Sequence, residues 1–240
     1  MNPVSSDRLA DLNKRYDAHE PHEIIHALIN EEFPGRIALV SSFGAESAVL
    51  LHMLSQVNPT TPVIFLDTGK LFGETKRYRD KLVECLGLKR VKSITPDPDA
   101  IAVRDHHGIL WSQNPNACCA LRKVEPLEKA LQSYEAWFTG RKSFQSSSRA
   151  TLSVFEAEGT KFKINPLAHW TKNDIDTYFE DNDLPRHPLE ADGYLSIGCM
   201  PCTDRVGPGE DMRAGRWRGS EKTECGIHMP AGQMLSKANV

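Results

Sequence analysis

The sequence lacks several features, and each absence removes a class of function. No apolar run approaches the ~20 residues that a membrane-spanning helix needs. Residues 1–8 are polar and lack the apolar core of a secretion signal. There is no internal repeat and no low-complexity block. Positive charge is not in excess: 29 Lys and Arg stand against 32 Asp and Glu, a net charge of -3. The chain as a whole is therefore no generic nucleic-acid binder, and any anion site must come from local clustering of Arg and Lys. These absences lead us to expect a cytoplasmic protein with neither membrane nor nucleic acid as partner. Thiols stay reduced in that compartment. The six cysteines then point to metal binding or catalysis rather than to disulfides.

What is present is ordinary globular composition, with 40% apolar and 25% charged residues over 240 positions. That length suits one domain, or one domain with appendages. Residues 7–32 have helical periodicity, with a break near Pro21. Residues 36–42 form a short apolar run that suits a buried strand. A helical pattern follows from Glu46. The unit recurs: 62–67 is strand-like, 74–86 helical, 90–95 strand-like, 99–106 and 119–133 helical, and 136–139 strand-like. Strands alternating with helices predict an α/β fold, a parallel twisted sheet with helices on both faces. Ligands of such sheets sit beyond the carboxyl ends of the strands, where the strand order switches. The loops after Ser42, Asp67 and Thr139 are thus the places to look for function. Thr171 and Asp174 resemble a capping box opening a helix over 174–181. Residues 1–202 read as the α/β domain. Residues 203–240 are rich in Gly and charge, poor in periodic apolar positions, and read as a mobile tail.

The loop after the first strand reads Ser41-Ser42-Phe43-Gly44-Ala45-Glu46-Ser47. Small residues before a helix let backbone N–H groups face an anion, and the helix dipole adds attraction. A plain strand-to-helix turn would look the same. It is not a Walker loop, because no Gly-Lys-Ser/Thr follows.

Cys118 and Cys119 are adjacent, and Cys199 and Cys202 form Cys-Met-Pro-Cys about eighty residues later. Four thiolates brought together by folding are the ligand set of zinc or of an iron–sulfur cluster. An adjacent pair is awkward around one tetrahedral ion and easier on a cube whose irons each take one thiolate. Taken separately, the first pair could be small core residues and the second a redox dithiol. Cys85, in an apolar helical setting, reads as a core cysteine.

Cys225 lies in Glu-Cys-Gly-Ile-His at 224–228, in the expected tail. Arg213, Arg216 and Arg218 are near in sequence and could lower its pKa if the tail folds over a basic pocket. His228 is placed to touch an anionic ligand or the thiol. An incidental tail cysteine is the plain alternative. Lys123 follows the cysteine pair and Arg122, while Arg141, Lys142 and Arg149 follow the strand ending at Thr139. Surface solvation is the alternative for each.

Together, five motifs resemble the sulfonucleotide (PAPS/APS) reductase family, and within it the assimilatory adenylyl-sulfate reductases of the iron–sulfur type. They are Ser-Phe-Gly-Ala-Glu-Ser at 42–47, Leu-Asp-Thr-Gly at 66–69, Cys-Cys-Ala-Leu-Arg-Lys at 118–123, Cys-Met-Pro-Cys at 199–202 and Glu-Cys-Gly-Ile-His at 224–228. The resemblance implies the adenine nucleotide α-hydrolase-like (PP-loop) fold. Phe43 and Glu46 stand where ATP-cleaving members carry Gly and Asp, which argues against ATP cleavage. It implies a [4Fe–4S] cluster on Cys118, Cys119, Cys199 and Cys202, and a catalytic cysteine at Cys225. By motif position, Lys123, Arg141, Arg213, Arg216 and His228 would hold the phosphosulfate. Ser42, Gly44, Asp67 and Gly69 would bind the nucleotide. Relatives often read Arg-Arg where this chain has Arg141-Lys142, and Lys cannot make the bidentate contact of Arg.

The implied reaction is reduction of adenylyl sulfate to sulfite and AMP, through a Cys225 S-sulfonate, with thioredoxin as electron donor. It would serve assimilatory sulfate reduction and cysteine biosynthesis. The alternatives are a reductase of the 3′-phosphorylated nucleotide PAPS or of both nucleotides, an ATP-dependent tRNA-thiolating enzyme, and a zinc-stabilised nucleotide-binding module. A homo-oligomer is compatible with the sequence.

Overall fold

A computed structural model of the chain describes residues 3–228. The chain opens with α1 (Ser6–Tyr16) and α2 (Pro21–Ala27), separated at the break read from Pro21. Pro21 starts α2 because a first-turn residue needs no backbone N–H, and Glu20 and Glu23 cap the same end reciprocally. Three strands each followed by helix, three further strands and a closing helix come next: β1 (Ile37–Ser41), α3 (Ser47–Val57), β2 (Val63–Leu66), α4 (Gly73–Cys85), β3 (Val91–Ile94), α5 (Pro98–Arg104), α6 (Leu110–Gln113), α7 (Pro115–Cys119), α8 (Glu125–Ala130), β4 (Ala136–Phe138), β5 (Phe155–Glu158), β6 (Lys161–Ile164) and α9 (Lys172–Asp181). The Thr171–Asp174 capping box is formed in both directions.

The sheet order is β3-β2-β1-β4-β6-β5. All pairings are parallel except β5 with β6, which form an antiparallel edge hairpin. The expected parallel sheet is therefore mostly parallel, and the hairpin is the addition. Phe-Glu-Ala-Glu and Lys-Phe-Lys-Ile alternate apolar with charged residues, the sequence pattern of a half-solvated strand, although in β6 Phe162, Lys163 and Ile164 are all buried. β1 pairs with β2 on one side and β4 on the other, so the winding reverses there. The crevice at the strand ends of β1 and β4 is the switch point.

Both faces of the sheet are buried. Ile37, Leu39, Phe65, Phe138 and Ile164 face one core, with residues from α1, α2, α3, α4 and α9. Ala38, Val40, Ile64, Leu66 and Trp137 face the other, with Leu127 and Leu131 at α8. Each fully buried Phe, such as Phe65 or Phe138, contributes roughly 1.5–3 kcal/mol of apolar burial.

The helix expected over 119–133 is not continuous. α7 ends at Cys119, a π-helical turn spans Ala120–Val124, and α8 begins at Glu125. Pro126 supplies the cause: it has no N–H for the carbonyl four residues back, and its ring would strike that carbonyl. The backbone widens by one residue before it, which turns the cysteine pair and the following cations to a new angle. Among residues 203–228, the expected tail runs back over the strand ends. Thr203 bridges Arg216, and Ile227 packs on the Trp137 side of the sheet. The rest of the expected tail, 229–240, lies outside the described residues.

Candidate active site

Two cavities adjoin at the carboxyl end of the sheet. The larger, about 190 Å³, lies at the switch point. Its floor is the loop after β1 (Ser42, Gly44) and the loop after β4 (Thr139, Gly140), and the strap 203–228 closes it with Arg213, Arg216, Cys225 and His228. The smaller is walled by Cys118, Cys119, Cys199 and Cys202. Lys123 and Arg216 line both.

The β1 loop takes its shape from strain and close packing. Phe43 has φ 49°, a left-handed conformation that bulky residues rarely adopt. It is held there by burial and by edge-on packing against Phe65, with ring centroids 5.3 Å apart. Its backbone N–H donates to Ser41 Oγ at 3.2 Å. So Phe43 preserves the backbone geometry of the Gly it replaces. Gly44 is needed for a different reason: a Cβ there would sit 3.3 Å from the Ile197 carbonyl oxygen. That contact brings residues 195–198, which no motif marked, into the cavity wall.

Cations crowd the cavity, but most are already paired. Lys142 is buried, and its ammonium meets Glu46 at 2.7 Å and the Gly140 carbonyl at 3.0 Å. Burial pushes Lys142 below its ordinary value, with Glu46 working against that shift. The Lys at this position thus ties the β1 loop to the β4 loop, a point-charge role that needs no planar fork. Removing one member of so buried a pair would cost about 3–5 kcal/mol. Glu46 Oε1 is buried and has no hydrogen-bond partner among the described residues, which leaves an acceptor at the cavity. Arg141 contacts Glu156 closely, and burial together with Arg149 lowers it to about 10. Arg213 is likewise lowered to about 10 by burial and Arg149. Arg149 Nε and Nη2 grip Glu224 at 2.5 and 2.8 Å, and Arg213 Nη2 meets the same carboxylate at 3.1 Å. Burial would raise Glu224, but Arg149, Arg213 and Arg141 outweigh it and hold the carboxyl below its ordinary value.

Cys225 is 8% exposed, not open to solvent as its place in the sequence led us to expect. It packs with Cys119 and Trp217. Its contact with Cys119, followed by the positive charge of Lys123 and Arg216, outweighs the opposing effect of burial and holds Cys225 well below its ordinary value. Arg216 lies over the Trp217 ring at 4.4 Å and against the backbone of Gly198, where any Cβ would collide with its guanidinium. His228 follows in a tight turn, its N–H donating to the Cys225 carbonyl at 2.8 Å. Burial, then Lys163, Arg141, Arg149 and Arg213, keeps its imidazole neutral, and Nδ1 has no partner among the described residues.

Cys199 is tied in place by Thr68 Oγ1 at 3.2 Å and by its bridge to Leu71. Burial and the neighbouring Cys199 push the Cys118 thiol up to about 11. Arg122 is structural: it grips Asp105 at 2.6 Å and the Thr68 carbonyl at 2.8 Å.

Of the residues predicted from sequence, Ser42, Gly44, Lys123, Arg141, Arg213, Arg216, Cys225 and His228 line the larger cavity. Asp67 and Gly69 are not among the residues that line it. They follow β2, one strand outward from the switch point. The Asp67 carboxylate instead pairs with Lys76 at 2.8 Å and accepts from the Gly69 N–H at 3.1 Å, shaping the turn that presents Thr68 to Cys199. Glu224 and residues 195–198 were not foreseen as cavity residues. Glu224 could have been suspected from its place beside Cys225.

Residues 36–205 match the phosphoadenosine phosphosulfate reductase domain family. The chain belongs to that family. It is an oxidoreductase acting on sulfur, as the five motifs implied. It is 54% identical to the adenosine 5′-phosphosulfate reductase of Mesorhizobium japonicum, over 92% of this chain and 87% of the relative. It is 50% identical to the protein of that name from a Chelativorans species, covering 95% and 94%. A phosphoadenosine 5′-phosphosulfate reductase from Gloeobacter violaceus is 37% identical, covering 94% and 95%. Among solved structures, the PAPS reductase of Candida auris in its phosphate complex has a TM-score of 0.71 at 27% identity, covering 85% of this chain and 98% of that one. Yeast FAD synthetase, at 15% identity and TM-score 0.52, shares the fold alone. No helix among the described residues is long and apolar enough to cross a membrane.

Proposed function

We propose that the chain reduces adenylyl sulfate to sulfite and AMP, with Cys225 as nucleophile and thioredoxin as donor. The observation that carries this reading is the place of Cys225: buried, packed against Cys119 and Trp217, on the wall of a cation-lined cavity at the switch point. The Cys225 thiolate attacks the sulfate sulfur, the bond from that sulfur to the bridging oxygen breaks, and AMP leaves with the electron pair. Covalent catalysis divides the reaction into two steps. A thioredoxin thiolate then attacks Cys225 Sγ and expels sulfite. The donor's second thiol resolves the mixed disulfide, so the dithiol is oxidised as the sulfonate sulfur is reduced.

Arg213, Arg216, Arg141 and Lys123 are the groups we assign to the phosphosulfate, where fixed cations stabilise charge developing on the leaving phosphate. His228, neutral with a free Nδ1, is suited to one hydrogen bond with an oxyanion or its protonated form. Ser42 and Gly44 would face the nucleotide from the β1 loop. Sulfate assimilation and cysteine biosynthesis are the pathway context in which this reaction would operate, and the cytoplasm its compartment.

The four cysteines fit a [4Fe–4S] cluster as a donor set: all are thiols on the wall of one cavity. Among the described residues no group of three or more His, Cys, Asp or Glu side chains is arranged to hold a single metal ion. When bound, the cluster would supply fixed charge beside Lys123 rather than electrons for turnover. Cys119 could not then act as a donor to Cys225, and Lys123, Arg216 and the Ile227 backbone would be the remaining groups that favour its thiolate against burial.

The decisive experiment incubates the protein with labelled adenylyl sulfate and no reductant, then maps the adduct by mass spectrometry. A sulfonate on Cys225, absent in Cys225→Ser, is expected. A sulfonate retained by Cys225→Ser would overturn the assignment. The Gloeobacter relative's name keeps PAPS as a second substrate to test. Relative kcat/KM for the two nucleotides decides it, with adenylyl sulfate expected to be preferred.

A further inference from the structure

Cys225 must meet two demands that conflict. It must be enclosed with the substrate while sulfur is transferred, and it must be reached by a protein dithiol afterwards. At 8% exposure it satisfies only the first in this structure. Something beside it must therefore hold the strap shut and be able to let go.

Two contacts from the domain body flank Cys225. On one side, Lys163 Nζ donates to the Ile227 carbonyl at 2.9 Å. On the other, Arg149 makes a two-pronged grip on Glu224, the residue next to Cys225 in the chain. The two are unequal. Arg149 is itself anchored to Gln145, which also holds Glu46 of the β1 loop at 2.8 Å. Its grip thus couples the strap to both floor loops. Arg213, from within the strap, holds the same carboxylate at 3.1 Å. Arg149 and Glu224 side chains are 6% and 14% exposed, so the pair is shielded from solvent. It is also the strap's charged contact with the cation cluster that an anionic ligand would enter.

We propose that Glu224 is a positioning residue: its carboxylate latches the strap to Arg149 and so keeps Cys225 aimed into the cavity, and opening this pair admits the reductant. The reach of the latch follows from its place. Glu224 acts through one peptide bond on Cys225, and a carboxylate is the group that two guanidinium groups can share. An incoming oxyanion meets the same arginines, so ligand and latch would compete for Arg213 while Arg149 stays committed to Glu224. The consequence for turnover rests on the reading of Cys225 as nucleophile; the latch itself does not.

The test uses the full-length protein with hydrogen–deuterium exchange and two half-reactions. Glu224→Gln keeps the shape and removes the charge. Exchange across 222–228 is expected to rise about tenfold while the sheet strands stay as slow as before. S-sulfonate formation from adenylyl sulfate should slow, and sulfite release from preformed S-sulfonate by a dithiol should not slow or should speed up. Arg149→Lys, which keeps the charge but loses the fork, should show the same signs at smaller size. Unchanged exchange across 222–228 in both variants would overturn the latch. So would exchange that rises equally in the strands, because that marks general destabilisation. If exchange behaves as expected but no S-sulfonate forms even in the parent protein, the latch stands and the nucleophile assignment fails.

Discussion

The two cavities at the end of the sheet differ in what they have already satisfied. The cysteine cavity is a set of thiols with few charges of its own: Arg122, which borders it, is neutralised by Asp105 at 2.6 Å. The cation cavity is the reverse. It holds more positive charge than its acids can match at one place, and leaves His228 Nδ1 and Glu46 Oε1 without partners among the described residues. On the function proposed above, the first would bind something soft and resident, the second something anionic and transient. Lys123 and Arg216 belong to both. Charge placed in either cavity is felt in the other, because low-dielectric surroundings screen it weakly.

The sharpest way to separate the cavities is to remove a thiol from each. Cys199→Ser takes one of four ligands from the cysteine cavity. Iron and acid-labile sulfide should fall to a small fraction of the parent's, with loss of visible absorbance. Cys225→Ser should leave both intact and abolish S-sulfonate formation. Equal metal loss in the two variants would mean that Cys225 belongs to the ligand set. The shared wall comes next. Lys123→Met keeps the stem and removes the charge; kcat/KM for adenylyl sulfate should drop by about 10²-fold or more, the usual loss for one preorganised cation or donor. Metal content should not change. If it fell too, Lys123 would serve the cysteine cavity alone.

The two cavities were also unequally legible in the sequence. β1 stood out because a strand buried on both faces reads as an unbroken apolar run. The loops after β1 and β4 were located by a rule of topology, and that rule holds at the switch point. The same rule also marked the loop after β2, whose Asp67 and Gly69 are not on the cavity wall, because local sequence marks every strand end alike and does not say which strands are neighbours. The hairpin of β5 and β6 escaped because half of its residues are charged. Its signal was the strict alternation on either side of Gly159-Thr160. The docking of the strap was the hardest to foresee. It depends on polar contacts over long separations, such as Arg149 with Glu224 at 75 residues, and no periodicity announces such pairs. Composition alone read the segment as loose; Glu224 is paired with Arg149 of the body, while Arg218 and Glu210 pair with each other inside the segment.

Acid offers a milder probe of the cation cavity. Glu224 is held below its ordinary carboxylate value by Arg149, Arg213 and Arg141 against the cost of burial. A depressed carboxyl stabilises the fold above its unfolded pKa, and that contribution is lost as pH falls through the folded pKa. Exchange across 222–228 should therefore stay level from neutrality down to the ordinary value of 4.5, and rise only below it. A few-fold rise already complete at pH 5.5 would assign the transition to another group.

The smallest effect is expected where a sequence motif lies off the cavity wall. The Leu-Asp-Thr-Gly motif pointed to Asp67 as a nucleotide contact. Its carboxylate faces Lys76, whose side chain is 42% exposed, and the pair lies outside the cation cavity. Exposed or half-exposed ion pairs contribute only about 0–1 kcal/mol. Asp67→Asn can still accept from the Gly69 N–H, so the turn should survive. KM for adenylyl sulfate should stay within about twofold of the parent and the melting temperature within a few degrees, by the same energy scale. A tenfold rise in KM with the fold intact would bring Asp67 back to the nucleotide. It would also mean that the cation cavity extends one strand further from the switch point than its walls now indicate.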